Sequence, residues 1–171
     1  MDLKNNKSSV IARGGLITAL GVLCVYLSSY LPTNRIFLEA LASCLILISI
    51  LTLGIKNSLL VFFSTAILSL LICGIKITTI AYLIFFGIYG FIKFYIEKFN
   101  KIVAEYILKL VYCNLCLFLM LFIYKSFFPA MLNLSTSIYI IIIFVQIAFL
   151  VYDYVLTIFI SYFKKRFFKL K

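Results

Sequence analysis

Charged and turn-forming residues gather in short clusters along this chain, and long apolar stretches lie between them. The stretches run Val10 to Tyr30, Ile36 to Ile55, Ser58 to Cys73, Ile77 to Tyr95, Ile102 to Tyr124 and Ser137 to Tyr162. An α-helix of about twenty residues crosses a hydrocarbon core of about 30 Å, so the pattern predicts six membrane-spanning helices. The third stretch is short and could form one long hairpin with the second that barely reaches the far side, but its flanking Lys56 and Lys76 argue for two separate ends. The connections are brief: Leu31-Pro32-Thr33-Asn34-Arg35, then Lys56-Asn57, then Gly74-Ile75-Lys76. The clearly hydrophilic one is Lys93 to Lys101, with Glu97, Lys98 and Asn100, whereas Lys125 to Thr136, with Pro129, is mildly polar and reads as dipping back or lying in the interface.

Composition agrees with this pattern. Of 171 residues, 65% are hydrophobic and 12% charged, 18 are Phe and 12 Tyr, and the mean hydropathy is +1.21. That is more apolar side chain than a soluble domain of this size buries. The reading is an all-α, polytopic membrane helical bundle, one domain over 1–171, without an internal repeat. The first stretch has a basic flank (Lys4, Lys7, Arg13) like a secretory signal, but it is too long for that and no Ala-x-Ala site follows; it reads as a retained helix.

Charge sets the expected orientation. With the N-terminus in the cytoplasm, Lys4, Lys7, Arg13, Lys56, Lys93, Lys98, Lys101, Lys109, Lys164, Lys165, Arg166, Lys169 and Lys171 fall on that side, 13 of 16, and only Arg35, Lys76 and Lys125 on the other. Cytoplasmic loops carry such an excess, so both ends are expected in the cytoplasm and the chain in the cell membrane. The Lys164-Lys165-Arg166 cluster then orients the protein and meets anionic membrane lipid. No nucleic-acid partner is needed to explain a net charge of +11.

The inventory narrows the chemistry. His and Trp are absent, which removes imidazole-dependent metalloproteases and phosphatases. There is no H-E-x-x-H, no G-x-x-x-x-G-K-[ST] and no D-x-x-D, so any ATP that drives this protein binds another subunit. A membrane hydrolase would lack a G-x-S-x-G elbow and would depend on Lys109 as the base at depth. The five cysteines (Cys24, Cys44, Cys73, Cys113, Cys116) lie inside apolar stretches and read as small buried hydrophobes. Cys113 and Cys116 have C-x-x-C spacing but no second pair. No enzyme, metal or cofactor is expected.

Ionisable groups within hydrocarbon are costly and face a bundle interior or a cavity. Glu39, Lys109 and Asp153 are the expected cases. Lys109 lies about 10 Å and Asp153 about 15 Å from the cytoplasmic ends of their helices, depths that suit an ion pair locking the fifth helix to the sixth. Snorkelling of Lys109 to the interface is the alternative. Glu39, near the outer end of its helix, is expected either exposed at the interface or joined with Asn34 and Arg35 beside a ligand. Tyr82, Tyr89, Asn114 and Gln146 could hydrogen-bond a small polar molecule in an aromatic cleft, or join helices to one another.

The first apolar stretch opens unusually, with Ala12, Gly14, Gly15, Ala19 and Gly21 in "SVIARGGLITALG". At about 100° per residue, Ala12, Gly15 and Ala19 share one sector, and Gly14, Thr18 and Gly21 nearly the opposite one. Small residues let backbones approach closely, so one face suits packing within the bundle and the other another internal contact or a separate membrane subunit. With six spans, a basic residue just before a small-residue first helix, and no nucleotide motif, the chain resembles the substrate-binding S-components of energy-coupling-factor (ECF) transporters. In that family an A-x-x-x-A type motif docks the transmembrane coupling subunit. Gly15 and Ala19 match it, with Ala12 one turn earlier and Gly in place of the first Ala. The resemblance further implies that Leu31 to Ile36 caps a ligand, that later helices supply most ligand contacts, and that separate coupling and ATPase subunits are partners. A scaffold similar to the rod-shape-determining membrane protein of bacterial cell-wall assembly is the alternative. An enzyme using Lys109 and Asp153 would need a cytoplasmic cleft holding a Ser or a water.

Overall fold

The structure is a computed structural model in which residues 7–97, 102–127 and 138–168 are described. Lys98, Asn100 and Lys101 of the hydrophilic connection lie outside them, as do the Pro129 segment over 128–137, Lys4, and the tail residues Lys169 and Lys171. Among the described residues, six helices are long and apolar enough to cross a membrane. They are α1 (Lys7–Tyr30), α2 (Arg35–Leu53), α3 (Ile55–Cys73), α4 (Ile77–Glu97), α5 (Ile102–Phe127) and α6 (Ile138–Phe168). The chain is a multi-pass membrane protein of helices.

The helix ends follow from local chemistry. In α1 the Leu31 N–H still reaches the Leu27 carbonyl at 2.9 Å; Pro32, with no N–H, stops the ladder there. The break between α2 and α3 falls at Gly54 and not at the expected Lys56-Asn57. Gly54 has φ +83°, a conformation that side-chain-bearing residues rarely adopt, so one residue ends α2 and starts α3. Asn57 Nδ2 then donates to the Leu53 carbonyl at 2.9 Å and the Ser58 hydroxyl to the Gly54 carbonyl at 2.8 Å. The polar residues read as a loop are the first turn of a helix. The third span thereby gains length: 19 residues extend about 28 Å. Other ends differ as well: α4 continues through Lys93 to Glu97, so the hydrophilic connection begins later than expected, and α6 continues past Tyr162 to Phe168.

The chain forms two compact units, Met1–Lys98 and Phe99–Lys171. In the first, α1 packs against both α2 and α3, and α2 also meets α3 and α4. Its interior joins Val25, Ala42, Ile46, Leu47 and Phe62 to a set of hydroxyls: Ser28, Ser43, Ser49, Ser58, Ser69 and Thr79 are fully buried. The Ser49 hydroxyl donates to Ser58 across the α2–α3 turn at 2.8 Å, and Ser29 and Thr78 join α1 to α4 at 2.9 Å. Large aliphatics face outward instead; Leu71 is 76% exposed, two residues from fully buried Ser69. Small polar residues inside and large apolar ones outside is the arrangement lipid selects, because hydrocarbon outside removes the usual gain from burying Leu.

Within α4, Tyr82–Phe86 form a π-helical turn, which shifts the register of the residues after it. Gly87 follows, and a Cβ there would run into the ring of Phe62 on α3. Phe62 also meets Phe91 edge-on, with ring centres 6.0 Å apart. The absent side chain at Gly87 makes the seat for that ring.

In the second unit, α5 and α6 pack together, with Cys113, Cys116, Phe149 and Leu156 buried. Side-chain bridges at Lys109–Asp153 and Asn114–Gln146 cross between them. Moving up α5 from one bridge to the next means moving down α6, which identifies the helices as antiparallel.

Candidate functional site

The polar groups at depth fall into separate settings. On the Leu31 to Ile36 turn, Asn34 and Arg35 are exposed; Asn34 is left-handed at φ 68°, and Arg35 Nε turns back to the Leu31 carbonyl at 3.2 Å. Glu39 does not join them, nor is it exposed at an interface. It sits one turn further along α2 on the buried side, 3% exposed, with its Oε1 3.5 Å from the Ser28 hydroxyl of α1. The α2 positions Glu39, Ala42, Ser43, Ile46, Leu47 and Ile50 are all buried, a helical stripe that carries the carboxyl inward. The expected constellation of Asn34, Arg35 and Glu39 is thus divided between the surface and the interior.

Tyr82 and Tyr89 of α4 are both fully buried in the first unit. The Tyr89 ring stacks on Phe85 one turn earlier, at 6.4 Å, and Tyr82 lies by Thr65, whose own hydroxyl donates to the Val61 carbonyl at 2.8 Å. Asn114 and Gln146 belong to the second unit, where Gln146 Nε2 donates to Asn114 Oδ1 at 3.0 Å. These two amides join α5 to α6. The four residues considered together for a small polar ligand therefore lie two in each unit.

Lys109 Nζ donates to Asp153 Oδ2 at 2.8 Å, with the two side chains 6% and 8% exposed. The lysine is not extended toward an interface; its charge is matched within the helix pair. Such a pair gains little over apolar packing, but removing one member strands the other charge in low dielectric.

Lys93, where the fourth apolar stretch and the expected hydrophilic connection overlap, is fully buried near the end of α4, and its Nζ meets Glu97 Oε1 at 2.8 Å. The signal was present: Lys and Glu spaced i, i+4, with Phe91, Ile92, Phe94, Tyr95 and Ile96 around them, describe one more turn of apolar helix carrying an internal pair. The hydroxyl set of the first unit also went unread, since Ser and Thr in an apolar stretch look alike whether they face lipid or protein.

The first helix resolves into an inner and an outer face. A Cβ on Gly21 would stand 3.1 Å from Thr65 Cγ2 and one on Gly14 3.5 Å from Val61 Cγ2, both on α3. Thr18, between them, is buried and gives its hydroxyl to the Gly14 carbonyl at 2.9 Å. Ala12, Gly15 and Ala19 are exposed, and a Cβ on Gly15 would meet nothing within 4 Å. The Gly14/Thr18/Gly21 face is spent on α3, and the Ala12/Gly15/Ala19 face is open.

All five cysteines are free thiols, including the Cys113 and Cys116 pair. Among the described residues no group of three His, Cys, Asp or Glu side chains gathers to hold a metal ion. Compared with known protein families, curated proteins and solved structures, the chain matches none of them.

Proposed function

We propose that this chain is a non-catalytic, small-molecule-binding subunit of an ECF-type uptake transporter in the cell membrane, energised by separate coupling and ATPase subunits. The observation that carries the reading is the inequality of the two faces of α1. Gly14, Thr18 and Gly21 are in use against α3, whereas Ala12, Gly15 and Ala19 are exposed. A small-residue face suits close approach by a second helix, and these positions match the docking motif of the family that the chain resembles. On this reading the Leu31 to Ile36 turn closes over the ligand from outside, with Asn34 and Arg35 available to it.

Mild purification from native membranes, followed by mass spectrometry for proteins and retained small molecules, tests the reading. A membrane coupling subunit and ATPases are expected with the wild-type chain, and both should be lost from Gly15→Leu, which keeps its fold because the new side chain enters open space. Recovery of cell-wall or division proteins alone would replace the transporter with a scaffold.

A further inference from the structure

Two charged residues lie buried among the described residues of the first unit and unused by the proposed function: Lys93, which has Glu97 beside it, and Glu39. An ionised carboxylate so far from water requires a cation or several strong donors, and the described residues of its unit supply neither. Lys7, Arg13, Arg35 and Lys56 are exposed. The Lys76 ammonium sits 3.9 Å over the Tyr30 ring, and Lys93 is matched by Glu97 at 2.8 Å. The other titratable side chains on the packed helices are Cys24, Tyr26 and Tyr30 of α1, Cys44 of α2, Cys73 of α3, and Tyr82, Tyr89 and Tyr95 of α4, thiols and phenols that are ordinarily neutral at pH 7. Among the described residues of its unit, the hydrogen-bonding group in reach of the Glu39 carboxyl is the Ser28 hydroxyl at 3.5 Å, well beyond the roughly 2.5–2.7 Å of a hydroxyl serving a carboxylate.

The hydroxyl has a single proton, and a better acceptor holds it. Ser28 donates to the Val25 carbonyl at 2.8 Å, and a carbonyl can only accept. The Ser28 oxygen is left with its lone pairs toward Glu39. A carboxylate oxygen would meet them as one acceptor facing another, whereas a carboxylic acid would donate to them. One turn along the same buried side of α2, the Ser43 hydroxyl is fully buried and has no hydrogen-bond partner among the described residues.

We propose that Glu39 is a proton-binding site between α1 and α2: it holds one exchangeable proton as the neutral acid, directed at Ser28, and releases it as H⁺ to leave a carboxylate. The proton is the ligand, and its loss places an unmatched charge at the α1–α2 contact and loosens it. The inference does not rest on the transporter reading, and would hold equally in a scaffold.

The full chain in nanodiscs, at neutral pH, is treated with dicyclohexylcarbodiimide, which takes up a carboxylic acid's O–H across its N=C bond and so selects protonated carboxyls in apolar surroundings. Peptide mapping by mass spectrometry should place an adduct on Glu39, increasing as pH is lowered and unchanged by added Na⁺ at fixed pH. Glu39→Gln should lose that adduct, and should lose a protonated-acid C=O stretch from the infrared spectrum. Ser28→Ala should keep the adduct and shift the stretch upward, because the acid's hydrogen-bond acceptor is gone. The wild-type peptide map locates the adduct whether or not Glu39→Gln folds. An unmodified Glu39 in folded protein overturns the proposal, and protection by Na⁺ overturns it in favour of a metal-ion site.

Discussion

Lys109 and Asp153 are held 2.8 Å apart with both side chains buried, a setting in which neither charge is tolerable alone. Lys109→Ala or Asp153→Asn should therefore destabilise the protein by about 3–5 kcal/mol, whereas a Lys109→Met/Asp153→Leu double variant should recover most of that loss, because apolar packing replaces a buried pair at little cost. The free thiols Cys113 and Cys116, both buried, supply the readout: a thiol-reactive dye should report unfolding at lower temperature in each single variant and near the wild-type temperature in the double. Equal loss in all three would mean that the pair contributes through its surroundings and not through charge matching. At this scale, legibility depended on residue type. Lys109 and Asp153 stood out because charge in an apolar stretch always needs an explanation. Lys93 did not, because a lysine at the end of such a stretch looks like the start of a loop. Glu39 was visible as a residue but not in its orientation, since only two positions of α2 separate exposed Ile36 from buried Glu39 and hydropathy alone does not say which side faces protein.

Helices show the same asymmetry between what is readable and what is not. Each span had to be long, apolar and helical, because a backbone in hydrocarbon must satisfy its own hydrogen bonds; the six stretches were therefore legible, their ends to within a few residues except that α6 runs six residues past Tyr162, to Phe168. Their ends were less so where a glycine and not a polar cluster makes the turn, as at Gly54. The π-helical turn Tyr82–Phe86 was not legible, because it answers to a tertiary demand, the Phe62 ring. That demand gives a prediction: Gly87→Ala should destabilise by about 1–3 kcal/mol through overpacking, and Phe62→Leu in the same chain should return part of it. If Phe62→Leu adds its own loss in full, the two sites are not coupled. On α1, the sector assignment from sequence separated the two small faces, but which one turns inward could come only from the neighbours. Gly21→Leu should lower the thermal midpoint strongly, its side chain entering the space of Thr65, while Gly15→Leu should leave it near wild type in the purified chain. The reverse ranking would exchange the roles of the faces.

For the whole molecule, charge supplies an orientation that packing does not. Helices placed in a bundle pack equally well whichever way the bundle is inserted; what distinguishes the two insertions is where lysine and arginine fall relative to the cytoplasmic leaflet. Thirteen of the 16 basic residues belong to one side of the six-span pattern, and the α2–α3 and α3–α4 turns test it because they lie at opposite ends of α3, about 28 Å apart by helical rise. Lys56, exposed just after the Gly54 turn, is expected in the cytoplasm, and Lys76, beside the Gly74 turn, outside. In intact cells a membrane-impermeant maleimide should label Lys76→Cys and leave Lys56→Cys and Lys165→Cys untouched until the membrane is opened, with the wild-type chain and its five native thiols as the baseline. Labelling of Lys56→Cys from outside would invert the protein and move the Leu31 to Ile36 turn to the cytoplasmic face, where it could not capture a ligand arriving from the medium. The orientation therefore bears directly on function: an outward-facing α1–α2 turn is a condition of uptake, whereas a scaffold places no such demand on it.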